Sequence, residues 1–212
     1  MNFVPRDEEL LTAWSAGDKN AGKALYDRYF PTVYRFFSSK LADEVDDLVQ
    51  RTFLACTKHR DRLKDGASFR GFVLVVARNE LASFLRRRYR DGAPLDPTTV
   101  ALADLGATPS QLIYDREEHR LLVLALRRIP LVMQEALELH FFERLTGPEL
   151  AEVLEIPEGT VRSRIRRGLE ALRTEVERLT ESPELIESTV GSIAGWAAEI
   201  RALADRSLPS AG

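Results

Sequence analysis

Residues 145–179 constrain the fold more than any other part of this chain. Thr146 and Glu149 have the spacing of a capping box, in which a hydroxyl and a carboxylate satisfy free amides at a helix start. Pro157 stands where a second helix would begin, because proline suits the first turn of a helix. The spacing predicts a short capped helix, a turn of three residues and a longer helix, which is the layout of a helix-turn-helix.

The second of these helices carries an apolar stripe on one side and a basic face in its N-terminal half. Arginine side chains form paired hydrogen bonds with guanine edges and also bind phosphates. In a helix-turn-helix, the N-terminal half of the second helix enters the major groove of DNA. The pattern therefore favours a DNA-reading helix over an ordinary solvated helix, which a basic face alone would indicate. The predicted contact residues are Arg162, Ser163, Arg164, Arg166 and Arg167.

The remainder of the chain follows helical spacing as well. Apolar residues recur every three or four positions before residue 90 and again over residues 121–140. No stretch alternates with period two for long enough to predict a strand. Between the two blocks, residues 91–115 contain prolines, glycines and four aspartates but no basic residue. We therefore expect an all-α fold in which a flexible acidic linker joins two small helical domains.

The predicted domain limits follow from these changes in composition. They are 1–90 for the first helical domain, 91–115 for the linker, 116–179 for the helix-turn-helix domain and 180–212 for a C-terminal extension. The extension has an apolar stripe with helical spacing over residues 184–206, so we expect an amphipathic helix that buries this stripe. It either packs on the second domain as additional core or serves as a regulatory segment that holds both domains together or receives a partner.

A second basic cluster closes the first domain and is interleaved with aromatic residues. This combination suits single-stranded DNA, because cations bind the backbone while aromatic rings stack on unpaired bases. Phe69, Phe72 and Phe84 lie on an apolar stripe, however, which favours a place in the core. Asn79 is polar and is the better candidate for a hydrogen bond to a base edge. The basic residues are Arg78, Arg86, Arg87, Arg88 and Arg90.

Other chemistry finds little support in the sequence. The single cysteine, Cys56, excludes an intrachain disulfide, and three scattered histidines form no metal-ligand set. The acidic run 43–47 lacks a partner base, which argues against an active site and leaves a helix start or a protein docking face. No apolar run is long enough to span a membrane, and the N-terminus lacks a secretory signal. We therefore expect a cytoplasmic protein that is not an enzyme and needs no metal or cofactor.

Two sets of motifs resemble extracytoplasmic-function (ECF) sigma factors of RNA polymerase. Residues 47–53, DLVQRTF, and residues 69–79, FRGFVLVVARN, are similar to sigma region 2. Residues 145–151 and 156–164, the latter reading IPEGTVRSR, are similar to sigma region 4. The resemblance covers residues 7–179 in the family's order, so the chain is identified as a family member with an extra C-terminal segment.

This resemblance implies a partner and a role for each region. Region 2 would bind the clamp helices of the largest polymerase subunit through Asp46, Asp47 and Gln50, and would open the promoter at its −10 element. Region 4 would contact the polymerase flap and bind the −35 duplex through the recognition helix, with Thr160 near phosphates. An anti-sigma protein is a further candidate partner, and membrane insertion is not expected. The implied −10 contacts are Leu63, Lys64, Arg78, Asn79, Arg86, Arg87 and Arg88.

Two other functions stay open at this point. A stand-alone helix-turn-helix regulator would bind duplex DNA by itself, usually as a dimer, and would have no use for the second basic cluster. A nuclease that used Asp43, Asp46 and Asp47 with magnesium would require metal-dependent turnover. A sigma factor, in contrast, is expected to bind promoter DNA poorly until core polymerase is added.

Overall fold

The computed structural model describes residues 5–60, 68–88, 96–105, 117–195, 197–199 and 202. Over this part of the chain the regular structure is helical, apart from one isolated bridge between Ala101 and Pro130. The α-helices are α1 Asp7–Ser15, α2 Lys19–Ser38, α3 Val45–His59, α4 Phe69–Arg88, α5 Glu117–Leu126, α6 Leu131–Leu137, α7 Gly147–Leu154, α8 Glu158–Leu179 and α9 Pro183–Gly191. A 3-10 turn covers Leu102–Leu105, and a π-helical turn, Glu138–Phe142, continues α6. The prediction of an all-α fold is confirmed.

Helices α1 to α4 form the first domain around a core of aromatic and branched side chains. Asp18 starts α2 by accepting hydrogen bonds from the amides of Asn20 and Ala21, at 2.8 and 3.4 Å. Phe69 and Phe84 are buried, as their place on the apolar stripe predicts. The largest contributions to this core come from Leu25, Phe37, Leu48, Phe69, Leu74 and Leu81.

Helices α7 and α8 form the predicted helix-turn-helix. Three residues separate the end of α7 at Leu154 from the start of α8 at Glu158. Thr146 and Glu149 form the predicted capping box, in which the Glu149 carboxylate accepts hydrogen bonds from the Thr146 amide and hydroxyl, both at 2.7 Å. Glu155 follows α7 in the left-handed conformation, with φ of 55°, and this residue turns the chain toward α8.

The part of the linker that the structure describes is fixed to the second domain. The Ala103 amide donates to the Arg127 carbonyl at 2.9 Å, and the Leu131 amide donates to the Val100 carbonyl at 3.0 Å. Leu102 is fully buried. We expect a flexible segment from its proline, glycine and aspartate residues. In the structure, burial of the few apolar side chains offsets the entropy cost of ordering this backbone.

The C-terminal extension packs on the second domain through α9, which contacts α5 and α8. The Ser182 hydroxyl starts α9 by accepting a hydrogen bond from the Leu185 amide at 3.3 Å. Ile193 and Ala197, beyond the end of α9, are buried in the same apolar cluster as α5 and α8. This arrangement agrees with the first of the two alternatives for the extension, additional core. Ile200 and Leu203 of the predicted stripe, and Trp196 beside it, lie outside the described residues.

The two domains contact each other along α4 and α7. Arg78 in α4 donates a hydrogen bond to the Val153 carbonyl in α7 at 2.6 Å. Buried apolar residues from both domains form one continuous cluster. The domains are therefore adjacent in this structure, which the composition of the linker did not indicate.

Candidate nucleic-acid interface

The N-terminal half of α8 presents three of its six predicted contact residues fully to solvent. Arg162, Arg166 and Arg167 are exposed, while Thr160 and Ser163 are half-buried. Arginine and glutamate side chains one turn apart pair along this helix, at 2.8 Å for Arg162 with Glu158 and 3.0 Å for Arg166 with Glu170. Exposed pairs of this kind contribute little to stability. They therefore leave these guanidinium groups able to exchange a glutamate for a base or a phosphate.

Arg164 differs from the other arginines of this half of α8 because it is half-buried. Burial lowers the pKa of the Arg164 guanidinium from its ordinary value, the nearby charge of Arg78 lowers it further, and Glu135 opposes both effects. Arg164 thus lies within electrostatic range of Arg78 in α4 and Glu135 in α6. Of the four arginines and one serine predicted on α8, three arginines are exposed, and Ser163 and Arg164 are half-buried.

The basic cluster at the end of α4 is exposed through Arg86, Arg87 and Arg88. Asn79 is exposed as well and lies seven residues before Arg86, which is about two helical turns and therefore the same side of α4. Arg88 lies 3.7 Å from Glu44 and stacks over the Phe84 ring at 5.7 Å. Four of the predicted −10 contacts are thus exposed on α4, with Asn79 and Arg86 on one side of the helix and Arg87 and Arg88 around its end.

Arg78 is placed elsewhere than the rest of that cluster. Its side chain is 19% exposed, and its Nε atom lies 3.2 Å from Glu135 Oε2 in the second domain. The sequence places Arg78 beside Asn79, but neighbouring residues of a helix point in different directions. The other two predicted −10 contacts, Leu63 and Lys64, and the last arginine of the cluster, Arg90, lie outside the described residues.

The acidic start of α3 lines a shallow groove. Asp46, Asp47 and Gln50 are exposed there, and the groove has a volume of about 630 Å³. The acidic residues also have a local cause, because carboxylates are favourable at the positive end of a helix. The predicted docking residues therefore share one surface.

The floor of this groove is apolar, and sequence reasoning missed it. Leu54 is 53% exposed, which is unusual for a large apolar side chain in this chain. Tyr26 packs against Phe53 and Phe30, with ring centroids 4.5 and 5.5 Å apart. Leu54 follows Gln50 by one helical turn and therefore lies on the same face of α3. The helical period of α3 could have predicted an apolar residue beside the docking residues. An exposed apolar floor with an acidic rim is typical of a protein docking surface.

The residues that the structure describes offer no site for metal or thiol chemistry. Among the described residues, no three histidine, cysteine or acidic side chains are grouped as metal ligands. Burial raises the pKa of the Cys56 thiol to about 12, so this group stays protonated at neutral pH. No described helix is both long and apolar enough to cross a bilayer.

Comparison with known families matches both halves of the chain. The family model described as Sigma-70 region 2 matches residues 25–91, and the one described as Sigma-70, region 4 matches residues 119–172. Together the two matches cover more than half of the chain. They occur in the order that the motifs predict.

Curated relatives carry the same description. The ECF RNA polymerase sigma factor BldN of Streptomyces coelicolor is 28% identical over 171 residues, which are 77% of this chain and 63% of BldN. The chain thus spans less than two thirds of that relative. The ECF RNA polymerase sigma-E factor of Escherichia coli is 25% identical over 183 residues, which are 82% of this chain and 95% of the relative.

Solved structures share the fold. CnrH in complex with the cytosolic domain of CnrY has a TM-score of 0.60 at 20% identity, with 82% of this chain and 99% of that chain covered. The sigma factor RpoE in complex with the anti-sigma factor NepR from Bartonella quintana has a TM-score of 0.55 at 23% identity, with 69% and 91% covered. The paired region matches and the curated relatives show that this chain belongs to the sigma-70 family, as a sigma factor of the extracytoplasmic-function type.

Proposed function

We propose that this chain binds core RNA polymerase and directs initiation at specific promoters, with α8 reading the −35 duplex and region 2 reading the melted −10 element. The observation that carries this proposal is the presence of both sigma regions, in order, in one chain. A stand-alone helix-turn-helix regulator would account for the match to region 4 but not for the match to region 2. The chain itself is then no enzyme, because the polymerase performs the chemistry, and it acts in the cytoplasm, where the promoters are.

For the −35 element, α8 has the properties of a major-groove reader. The major groove of B-DNA is about 12 Å wide and admits one α-helix. Arg162, Arg166 and Arg167 extend from the exposed side of α8, near the helix end that enters the groove in this motif. Thr160 and Ser163 are short enough to contact phosphates beside them. We assign the −35 element to these five residues and to Arg164 once the domains separate.

For the −10 element, Asn79 is the proposed reader of an unstacked base. Flipping a base out of the duplex costs a few kcal/mol, which hydrogen bonds and phosphate contacts must return. Arg86 lies on the same side of α4 as Asn79, and Arg87 and Arg88 follow it at the exposed end of the helix. The three guanidinium groups supply cations for the backbone of the unpaired strand. Leu63 and Lys64 belong to the same proposed pocket on the strength of the family motif.

For the polymerase, the groove on α3 is the proposed docking surface. Its acidic rim attracts a basic helix, and its exposed Leu54 supplies an apolar contact. The clamp helices of the largest subunit are the proposed occupant, and the flap is the proposed contact of region 4. An anti-sigma protein is a further proposed partner, since a related sigma factor has been solved with one.

The experiment that tests this function measures assembly with core polymerase. Asp47→Lys should weaken binding of the chain to core polymerase, because it reverses charge at the rim of the groove. Glu8→Lys is the matched control, because Glu8 is exposed on α1, away from the groove. Equal polymerase affinity for the two variants would contradict the assignment of the groove. Absence of any polymerase binding by the unaltered chain would contradict the function.

A further inference from the structure

A second recess lies on region 2, where the start of α3 meets the end of α4. The two helices pack against each other, and Glu44 before α3 lies 3.7 Å from Arg88 at the end of α4. The recess has a volume of about 430 Å³ and shares no lining residue with the acidic groove. We call it the arginine recess, and its lining residues are Glu44, Arg51, Phe84, Arg87 and Arg88.

Positive charge is in excess in the arginine recess. Three arginines and one glutamate line it, and Arg51, Arg87 and Arg88 are all exposed to solvent. Like charges around one recess repel each other, so an anion bound between them relieves this repulsion. Guanidinium groups also match the geometry of a phosphate, which they bind through paired hydrogen bonds. The composition of the recess therefore suits a phosphate group.

The two ion pairs at the arginine recess leave its arginines available to a ligand. Arg51 pairs with Asp47, one turn earlier on α3, at 2.8 Å, and the two side chains are 45 and 47% exposed. Exposed pairs one turn apart contribute little to stability, so Arg51 exchanges this carboxylate for a phosphate at little cost. The Glu44 carboxylate lies 3.7 Å from the Arg88 guanidinium, which is longer than a direct hydrogen bond.

The backbone of Glu44 also marks this place in the fold. Its φ is 65°, which is the left-handed conformation that residues other than glycine adopt at a cost. Residues held in this way are frequent at sites that bind ligands. The conformation places the start of α3 against the end of α4, so the Arg51 side chain faces the same recess as Arg87 and Arg88.

The aromatic residue of the arginine recess is not available for stacking on a base. Phe84 is 6% exposed, and the Arg88 guanidinium lies over its ring, 5.7 Å from the centroid. A base that stacks on a protein requires an open ring face. A phosphate requires only the guanidinium groups. The recess therefore favours the backbone of a nucleic-acid strand over its bases.

The arginine recess continues the surface proposed for the −10 element. Arg87 and Arg88 belong both to the recess and to the proposed −10 contacts. Asn79, the proposed reader of a base, lies nine residues before Arg88, which is about 13 Å along α4 at 1.5 Å per residue. A strand that advances 3.4 Å per nucleotide covers this distance within about four nucleotides. The same unpaired strand therefore reaches both Asn79 and the recess.

We infer that the arginine recess binds one backbone phosphate of the unpaired −10 strand, and that Arg51 of α3 makes this contact together with Arg87 and Arg88. The inference rests on the proposed function and adds a residue of α3 to the DNA surface of α4. The contact does not depend on base identity, because every nucleotide carries the same phosphate. It fixes the position of the strand while Asn79 reads a base. A free nucleotide offers the same group, and the experiment separates it from the strand.

The salt dependence of DNA binding by the holoenzyme tests this contact. The variant is Arg51→Gln, and the control is Lys58→Gln, which removes the same charge at an exposed position about two turns further along α3. The probe is a fluorescent forked duplex with a single-stranded arm, prepared with two unrelated arm sequences.

We expect Arg51→Gln to weaken binding equally for both arm sequences. The slope of log affinity against log salt should become shallower by about 0.7, the value for one phosphate of a single strand. Lys58→Gln should keep the slope of the unaltered chain. Arg51→Lys should keep most of the slope as well, because it retains the positive charge. A slope that Arg51→Gln leaves unchanged would overturn the inference.

Neutral methylphosphonate groups identify the phosphate that is bound. Each probe of a series carries one such group at a different position of the single-stranded arm. We expect one position to weaken binding by the unaltered chain and by Lys58→Gln, but to have no further effect on Arg51→Gln, because the two changes remove the same contact. Absence of any position that is coupled to Arg51 in this way would overturn the inference.

Other outcomes contradict the inference in different ways. A loss confined to one arm sequence would indicate that Arg51 contacts a base. Weaker binding of labelled ATP by Arg51→Gln, with DNA affinity unchanged, would assign the arginine recess to a free nucleotide. Weaker assembly with core polymerase, with DNA binding by the assembled holoenzyme unchanged, would place Arg51 on the docking surface. Failure of the unaltered chain to bind core polymerase would contradict the proposed function itself.

Discussion

Gly168 of α8 lies so close to Leu137 of α6 that a β-carbon at Gly168 would stand 3.2 Å from the Leu137 Cγ atom. The same β-carbon would lie 3.4 Å from Met133 Cβ, one turn earlier on α6. Distances this short leave no room for a side chain between the two helices. The absence of a side chain at Gly168 therefore sets how closely the recognition helix packs on the rest of region 4.

Gly168→Val should lower the free energy of unfolding by about 1–3 kcal/mol, because the added methyl groups overpack the contact with Leu137. Chemical denaturation measures this change. Gly159→Val is the matched control, because a β-carbon at Gly159 in the same helix meets nothing within 4 Å. We expect the control to stay within about 0.5 kcal/mol of the unaltered chain. Similar losses for both variants would show that α6 and α8 are not in close contact at Gly168.

Glu155→Gly should raise the free energy of unfolding by about 0.5–1 kcal/mol. Glu155 has a φ of 55°, a conformation that glycine adopts without strain. Glu152→Gly provides the comparison, since Glu152 is exposed within α7 and glycine there should lower the free energy of unfolding by about 1 kcal/mol. The prediction fails if both substitutions change stability in the same direction.

The capping box should make the stability of region 4 depend on acid pH. Hydrogen bonds from the Thr146 hydroxyl and amide lower the pKa of Glu149 below its ordinary value of 4.5. Because the folded pKa lies below the unfolded pKa, this contribution is present above about pH 4.5 and is lost as the pH falls through the folded value.

Thr146→Ala tests that dependence. It should raise the pKa of Glu149, measured by NMR titration of the carboxyl carbon, and should lower the free energy of unfolding at neutral pH by about 1 kcal/mol. Thr174→Ala is the control on α8, where the hydroxyl donates to the Glu170 carbonyl rather than to a carboxylate. An unchanged Glu149 pKa in Thr146→Ala would contradict the assignment of the cap.

Cys56 should resist thiol reagents in the folded chain. The side chain is 1% exposed, and burial raises its pKa to about 12, so little thiolate forms at pH 8. Alkylation by iodoacetamide, followed by mass spectrometry, should be slow without denaturant and fast in urea. Rapid labelling of the folded chain would contradict the burial of Cys56 and would reopen a redox role for it.

Arg162→Ala should weaken binding of the holoenzyme to its promoter by about 1–3 kcal/mol and relax specificity at one −35 position, if the guanidinium contacts a base edge. Arg173→Ala is the matched control, because Arg173 is exposed on the same helix beyond the recognition half and pairs with Glu177 at 3.0 Å. A uniform loss across promoter sequences would indicate a phosphate contact instead. Equal effects at Arg162 and Arg173 would remove the assignment of the recognition helix.

Local signals predicted the helical elements well. The capping box at Thr146 and the proline at 157 set the limits of α7 and α8 because they act through backbone amides within one turn. The apolar stripe likewise predicted that Phe69 and Phe84 lie in the core, because the helical period of the apolar residues indicates which side of a helix is buried. These features depend on neighbours in sequence.

Contacts between distant parts of the chain were not predictable in the same way. The sequence assigns Arg78 to the basic cluster that ends the first domain, but its partner Glu135 lies 57 residues away. Burial of Leu102 in the linker likewise depends on where α5 and α6 lie, which composition does not reveal. Exposure of Leu54 was missed because an apolar residue in a helix is ordinarily assigned to the core.

The most direct test of a sigma factor is promoter binding and transcription by the purified chain with and without core polymerase, on a genomic promoter library. We expect the free chain to bind promoter duplexes poorly, to assemble with core polymerase, and to start transcription from a restricted set of promoters. A chain that fails to bind core polymerase but binds intact double-stranded operators tightly by itself would contradict this function.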